Sequence, residues 1–367
     1  MKSFINSYYN RVKNLYLKYE HLLMSVTLVG GFLFDFILFV HIDIPFKFAV
    51  LTVYWIVAGL AIAFMQLYDA GKISERFKYL QLFMPLALQW TFGGLLNISL
   101  IFYWFSSAFS VSWPLLAATV ALLLFNDRFR HQFSRPLVQI GVYFFVTLAL
   151  FSLVLPFWFA SVSAWLFIAA TAASVIIFAI YIYGLAFLAG RLRSSTHQLF
   201  ILVIIIAAIM QVLYFTNIIP PIPLAMREAG LYHSLHITGG KYTMQAEPES
   251  LWQDLQDAVF GQTVHVVPGE KIYLYTAIFA PANLKTTIVH HWQYYDEGQK
   301  KWVDQGDLSF AINGGRPEGY KGYSWQTNLA AGKWRVYVEN QRGQVLARVR
   351  FTVEKVEAPV ELQEIIR

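Results

Sequence analysis

The sequence predicts two architectures in one chain: a membrane all-α N-terminal bundle of about seven transmembrane helices, followed by an all-β, sandwich-like extracytoplasmic domain. Three observations predict it. Uninterrupted apolar stretches of span length fill most of residues 22–219. From residue 231 the apolar pattern changes to period two, with turn residues between short runs. Charge divides at the same place: residues 1–219 hold 13 Lys+Arg and 6 Asp+Glu, a net of +7, whereas residues 220–367 hold 15 and 16, a net of −1. The whole chain is 57% hydrophobic and 14% charged, against about a quarter charged in an ordinary soluble domain.

Residues 1–21 form a leader in which Phe4, Tyr8, Val12, Leu15 and Tyr19 recur at helical spacing, with Arg11 and Lys18 suited to a headgroup surface. Seven spans follow, at 22–42, 47–68, 80–104, 109–126, 137–159, 162–190 and 198–219. The segments that would share one side carry 12 basic residues: four in 1–21, three in 69–79, three in 127–136 and two in 191–197. The other side carries Lys47 alone. Lys and Arg are retained on the cytoplasmic side during insertion, so the N-terminus is expected in the cytoplasm and, after an odd number of spans, the C-terminal domain outside it. Among the polar residues inside the spans, three lie at similar depth: Asp35, Asn97 and Gln211. At about 1.5 Å per residue all three sit roughly 10–12 Å below the outer surface. They are read either as hydrogen-bonded packing contacts or as an outward-facing polar site.

Pro220, Pro221 and Pro223 end the last span and predict a stiff stalk over 220–230. The β-rich domain is expected over 231–354, with strands at 231–237, 241–246, 271–280, 286–295, 300–310, 320–327, 333–339 and 344–353 and a short helix near 249–259. A mobile tail, 355–367, completes the chain. In the last hairpin, Trp334, Val336 and Val338 form an inner row opposite Val345, Ala347 and Val349, around a four-residue loop with Gly343 as its left-handed residue. This register places Arg335 opposite Arg348 and Lys333 opposite Arg350, like charges that repel across a ladder.

Four runs carry a family resemblance: PPIPLAMREAGLYH at 220–233, VHHWQYYD at 289–296, FAINGGRPEGYKGYS at 310–324 and GKWRVYVENQRGQVLARVRFTV at 332–353. Together, over roughly 220–354, they resemble the C-terminal domain of bacterial multi-span membrane proteins known as domain of unknown function 2914. The resemblance implies a bacterial cell-envelope protein of the cytoplasmic (inner) membrane with its C-terminal domain periplasmic or extracellular. It implies no reaction.

The candidate chemistry lies in two places. The loop 313–323 has four glycines around Arg316, and with Tyr320, Tyr323 and Trp325 it could hold an anionic or sugar-like ligand. The basic face of the final hairpin adds Arg335, Arg348 and Arg350. The competing reading is a structural loop and ordinary strand decoration. On the strand 286–295, alternation sends His290, Trp292 and Tyr294 to one face and His291 to the other, so the two adjacent histidines cannot share a metal. A site would need His233, His236 or His265 to converge with one of them. No zinc spacing, nucleophile motif or cofactor fingerprint occurs, and there is no cysteine. No metal, no cofactor and no catalytic residue is therefore assigned, and no basic stripe suggests nucleic acid. The expected function is a non-enzymatic anchor or sensor whose β domain binds an anionic lipid, a glycan or an envelope protein. The alternatives are a transporter, or its accessory subunit, with a site near Asp35, and a membrane enzyme acting on a lipid-linked substrate.

Overall fold

The structure is a computed structural model, and it describes residues 44–105, 136–221, 223–248, 261–316 and 318–367, with a few isolated helical positions elsewhere. Asp35, most of the leader and of the spans at 22–42 and 109–126, and the helix near 249–259 lie outside the described residues. Two units emerge, one helical and one containing residues 216–367.

Among the described residues, five long helices belong to the first unit: α1 (Ile44–Asp69), α2 (Lys78–Phe105), α3 (Pro136–Trp158), α4 (Ala164–Ala189) and α5 (Thr196–Phe215). Four of them, α1, α3, α4 and α5, are long and apolar enough to cross a membrane. The expectation of seven spans is therefore corrected to four among the described residues. Helix α2 occupies the expected third span but is the least apolar of the five, because Gln81, Gln89, Thr91 and Asn97 interrupt it. Helix α3 is 78% buried along its span, whereas α1, α4 and α5 are 28–39% buried, so α3 is the enclosed helix. The outer faces of the others present Leu60, Ile180, Phe187, Ile204 and Val212. A surface helix in water would carry polar residues there.

Polar side chains in this unit are spent on holding helices together. Tyr143 on α3 donates its hydroxyl to the carbonyl of Trp55 at 3.0 Å, and Tyr181 on α4 donates to the carbonyl of Gly59 at 2.7 Å. Gly59 has no alternative, since a Cβ there would run into the Tyr143 ring and hydroxyl. Trp55 donates to Thr147 at 2.8 Å, and Gln66 donates to Gln139 at 3.1 Å. Small residues that permit close backbone approach, with a few interhelical hydrogen bonds, are the usual adhesive where no water is available to drive association.

Among its described residues, the second unit contains eleven strands: β1 (Ala225–Tyr232), β2 (Ser234–Thr238), β3 (Lys241–Ala246), β4 (Gln262–Val266), β5 (Lys271–Phe279), β6 (Lys285–Asp296), β7 (Lys301–Asn313), β8 (Tyr320–Thr327), β9 (Gly332–Asn340), β10 (Val345–Lys355) and β11 (Gln363–Ile366). They form sheets ordered β1-β5-β8, β4-β10-β9-β6-β7 and β11-β3-β2. The main core joins the first two sheets, through Ile272, Leu274 and Ile278 on one side and Trp292, Trp334, Val336 and Phe351 on the other. A second, tyrosine-lined cluster of Tyr232, Tyr275, Leu235 and Met244 joins β1-β5 to β2-β3.

Three sequence expectations change here. Strand β1 begins at Ala225, inside the range assigned to a stalk, because its residues pair with β5 from Phe279 onward. The tail assigned as mobile contains β11, which pairs with β3 and returns Arg367 to Glu228 at 2.7 Å. The final hairpin slips by two residues: one because Val345 pairs with Glu339 rather than Val338, and one because Leu346 is an extra residue between Val345 and Ala347. Arg335 therefore opposes Arg350, Arg348 opposes Tyr337, and Lys333 opposes Thr352.

Candidate functional site: the outer face of the five-stranded sheet

Alternation along β6 and β9 buries Trp292, Trp334, Val336 and Val338 and turns His291, Gln293, Arg335 and Tyr337 outward. Directly opposed residues share a face. One row across the sheet therefore reads Asp304, Gln293, Arg335, Arg350, and the next reads Asp307, His291, Tyr337, Arg348. Both rows run from acid on β7 to arginine on β10.

Arg335 is the centre of this face. Its guanidinium lies 4.0 Å from the centroid of the Trp302 ring and 5.0 Å from that of Tyr337, and its Nε donates to Gln293 at 2.8 Å. Among the described residues no carboxylate pairs with it. Burial lowers its pKa, the Tyr337 hydroxyl opposes that shift, and Arg348 adds to it. The charge is thus held by ring faces rather than by an acid.

The acid end depends on a β-bulge. Asp304 and Asp307 are three apart and would point to opposite faces of a regular strand. The register passes from Trp292↔Gly306 to Gln293↔Asp304, which leaves Gln305 as an extra residue and brings both aspartates outward. Gly306 takes φ 110° at this point. Nδ1 of His291 meets Oδ1 of Asp307, and Nε2 lies 3.5 Å from Oδ1 of Asp304. Gln293 contacts Nε2 at 2.7 Å. Ligand atoms from His291, Asp304 and Asp307 all fall within 4.8 Å of one another. Glu339 lies nearby on β9: burial raises its carboxyl, His291 lowers it, and Asp307 and Asp304 raise it further. Sequence spacing gave no sign of this group, because only the bulge aligns the two aspartates.

The other residues singled out in the sequence are dispersed. Arg316 stacks on Tyr320 at 4.9 Å, and Tyr320 faces the main core. Tyr323 and Trp325 are on the opposite face of β8, grouped with Tyr273. The loop glycines are taken up by packing. A Cβ at Gly314 would meet the carbonyls of Ala280 and Pro281, and one at Gly322 would enter the Phe310 ring. Backbone N–H groups of Gly314, Gly315 and Gly319 donate to Leu284, Ala280 and Arg316. Arg316 thus stands apart from Arg335, Arg348 and Arg350. In the helical unit, Asn97 is buried, and Gln211 donates to Thr171 at 2.6 Å, a bond between α5 and α4.

The remaining histidines do not converge on His290 or His291. His233 places Nδ1 2.7 Å from Glu270 and Nε2 3.1 Å from Glu247, and His265 places Nδ1 2.7 Å from the other oxygen of Glu247. Burial pushes the Glu247 carboxyl up, but hydrogen bonds from His265 and His233 outweigh it and hold it below its usual value. His290 is fully buried between Ser324 at 2.8 Å and Thr276 at 3.1 Å. Desolvation lowers its pKa from 6.5 to about 4, so it is a neutral core residue.

Residues 285–353, which contain every residue of the two rows, match the family described as Protein of unknown function (DUF2914). The match confirms the resemblance in the C-terminal part of the chain over a shorter segment than 220–354. Among solved structures, an immunoglobulin-like protein from Pseudomonas aeruginosa is 12% identical with a TM-score of 0.21, covering 36% of this chain and 96% of that one. The alkylpurine DNA glycosylase of Pseudomonas fluorescens, bound to DNA containing an abasic site analogue, is 12% identical with a TM-score of 0.19, covering 86% of this chain and 83% of that one. Likenesses at these scores carry no functional argument. No curated protein matches the chain.

Proposed function

We propose that this chain is a non-enzymatic membrane protein of the cell envelope, whose β unit binds an anionic group on the outer face of its five-stranded sheet. The observation that carries this reading is Arg335, held between Trp302 and Tyr337 with Arg350 opposite and Arg348 in the next row. An arginine fixed by rings keeps guanidinium hydrogens for a phosphate or carboxylate, and the fork geometry suits either in a bidentate contact. Two further arginines at the same end would otherwise repel one another.

The location we propose is supported by one crossing. Arg191 and Arg193 precede α5, and the β unit follows it. The positive-inside rule puts those arginines in the cytoplasm and the β unit across the membrane, whatever the total number of spans.

The test is calorimetric titration of the full chain in neutral detergent with glycerol phosphate. A second arm offers the full chain, in zwitterionic nanodiscs, to phosphatidylglycerol vesicles. Binding in either arm should weaken with salt and be lost in the triple variant Arg335→Gln, Arg348→Gln, Arg350→Gln. Binding in the first arm indicates a soluble phosphate, and binding in the second alone indicates a lipid headgroup. Absence of binding in both, or an unaffected triple variant, rejects the anion reading.

A further inference from the structure

The acid end of the same face is a different chemical object from the arginine end, and it stands without the anion reading. We infer that His291, Asp304 and Asp307 form a binding site for a divalent first-row transition-metal ion, at the bulge of β7.

The argument begins with the ligand set. One imidazole and two carboxylates offer nitrogen and oxygen donors from three side chains, with the ligand atoms within 4.8 Å of one another. Ligand atoms bound at about 2.0–2.2 Å to a common ion lie roughly 3–3.5 Å apart, so small side-chain rotations close the site. The imidazole favours zinc, copper, iron or nickel over calcium and magnesium, which prefer oxygen alone, and the two carboxylates also admit manganese. The side chains of Asp304 and Asp307 are 62% and 57% exposed and that of His291 is 20% exposed, so ion and water can enter without opening the sheet.

The placement is also specific. A regular strand would send one aspartate into the core, and the extra residue Gln305 with the positive φ of Gly306 prevents this. His291 is set from β6 beside them, with Gln293 against its Nε2. Only one ring nitrogen can bind an ion; Asp307 meets Nδ1 and Asp304 lies nearest Nε2, so the rotation that closes the site is that of the other aspartate's exposed side chain to the ion's side of the ring. The competing arrangement is an imidazole ring bridging two aspartates with no metal.

Manganese is the probe that separates the two. The full chain in neutral detergent is titrated with Mn²⁺ alone, and free ion is followed by electron paramagnetic resonance. The site predicts saturable binding of one ion per chain, with spin-echo modulation from an imidazole nitrogen. Asp304→Asn, an isosteric change on an exposed side chain, should weaken binding about tenfold or more, the low end of what disturbing a metal's supporting groups costs. His291→Gln should abolish the nitrogen modulation. Glu247→Gln, in the separate His233–His265 cluster, should leave both unchanged. No saturable binding, no nitrogen coupling, or equal binding in Asp304→Asn overturns the proposal and leaves the bridging imidazole. Zinc competing for the same manganese supports the transition-metal class, and competition by calcium alone contradicts it.

Discussion

His290 shows how a single side chain can look chemical in a sequence and be structural in a fold. Its two ring nitrogens are taken by Ser324 and Thr276, and Ser324 also accepts the indole N–H of Trp292 at 3.0 Å. Burial holds its pKa near 4, whereas an unfolded chain restores 6.5. Between these values the unfolded state binds the extra proton, so stability is complete above pH 6.5 and falls as pH drops toward 4. The full loss is about 3 kcal/mol, from about 1.4 kcal/mol per pH unit. Unfolding of the β unit followed by tryptophan fluorescence should show this slope, and His290→Gln should flatten it in that window. A wild-type stability that is level from pH 7 to 4.5 would contradict the assignment. That His290 and His291 point to opposite faces was legible, because alternation needs only a strand; which face is buried was not. The partners were not: Trp302 reaches Arg335, and Asp304 reaches His291, only through the pairing of β7 with β6.

Among elements, the long helices and the strands from β5 to β10 follow from apolar period and turn residues. The elements that escaped are those with weak periodic signals. Strand β4 has five residues and pairs in parallel with β10, a contact no local turn announces. Strand β11 has the sequence QEII and is paired mainly through its backbone, with Ile365 against the tyrosine-lined cluster. The two bulges, at Gln305 and Leu346, are likewise invisible to a strict alternation. Truncating the chain after residue 362 tests the weight of β11. It removes the ladder to β3, the burial of Ile365 and the Arg367–Glu228 ion pair. The expected cost is roughly 1–3 kcal/mol, dominated by the lost apolar burial, measured as a lower denaturant midpoint of the β unit. An unchanged midpoint would mean that the last strand contributes nothing and that the tail was well described as mobile.

The whole molecule joins a helical unit with apolar outer faces to a β unit with a charged sheet face, and the account stands on which side of the membrane that face lies. A reporter fused after residue 367 should be active only outside the cytoplasm, and one inserted at residue 194 only inside; the reverse pair of results would overturn the orientation. The central claim, that the arginine rows receive an anion, is tested most directly at the guanidinium groups themselves. The full chain, labelled with nitrogen-15 in arginine and held in neutral detergent, is titrated with glycerol phosphate and then with short-chain phosphatidylglycerol while the Nε–H resonances are recorded. The account predicts that Arg335, Arg348 and Arg350 shift together and saturate with one of the two ligands, while Arg316 on its Tyr320 ring stays in place. Shifts that are absent, that never saturate, or that affect Arg316 and Arg193 as much as Arg335 would contradict it.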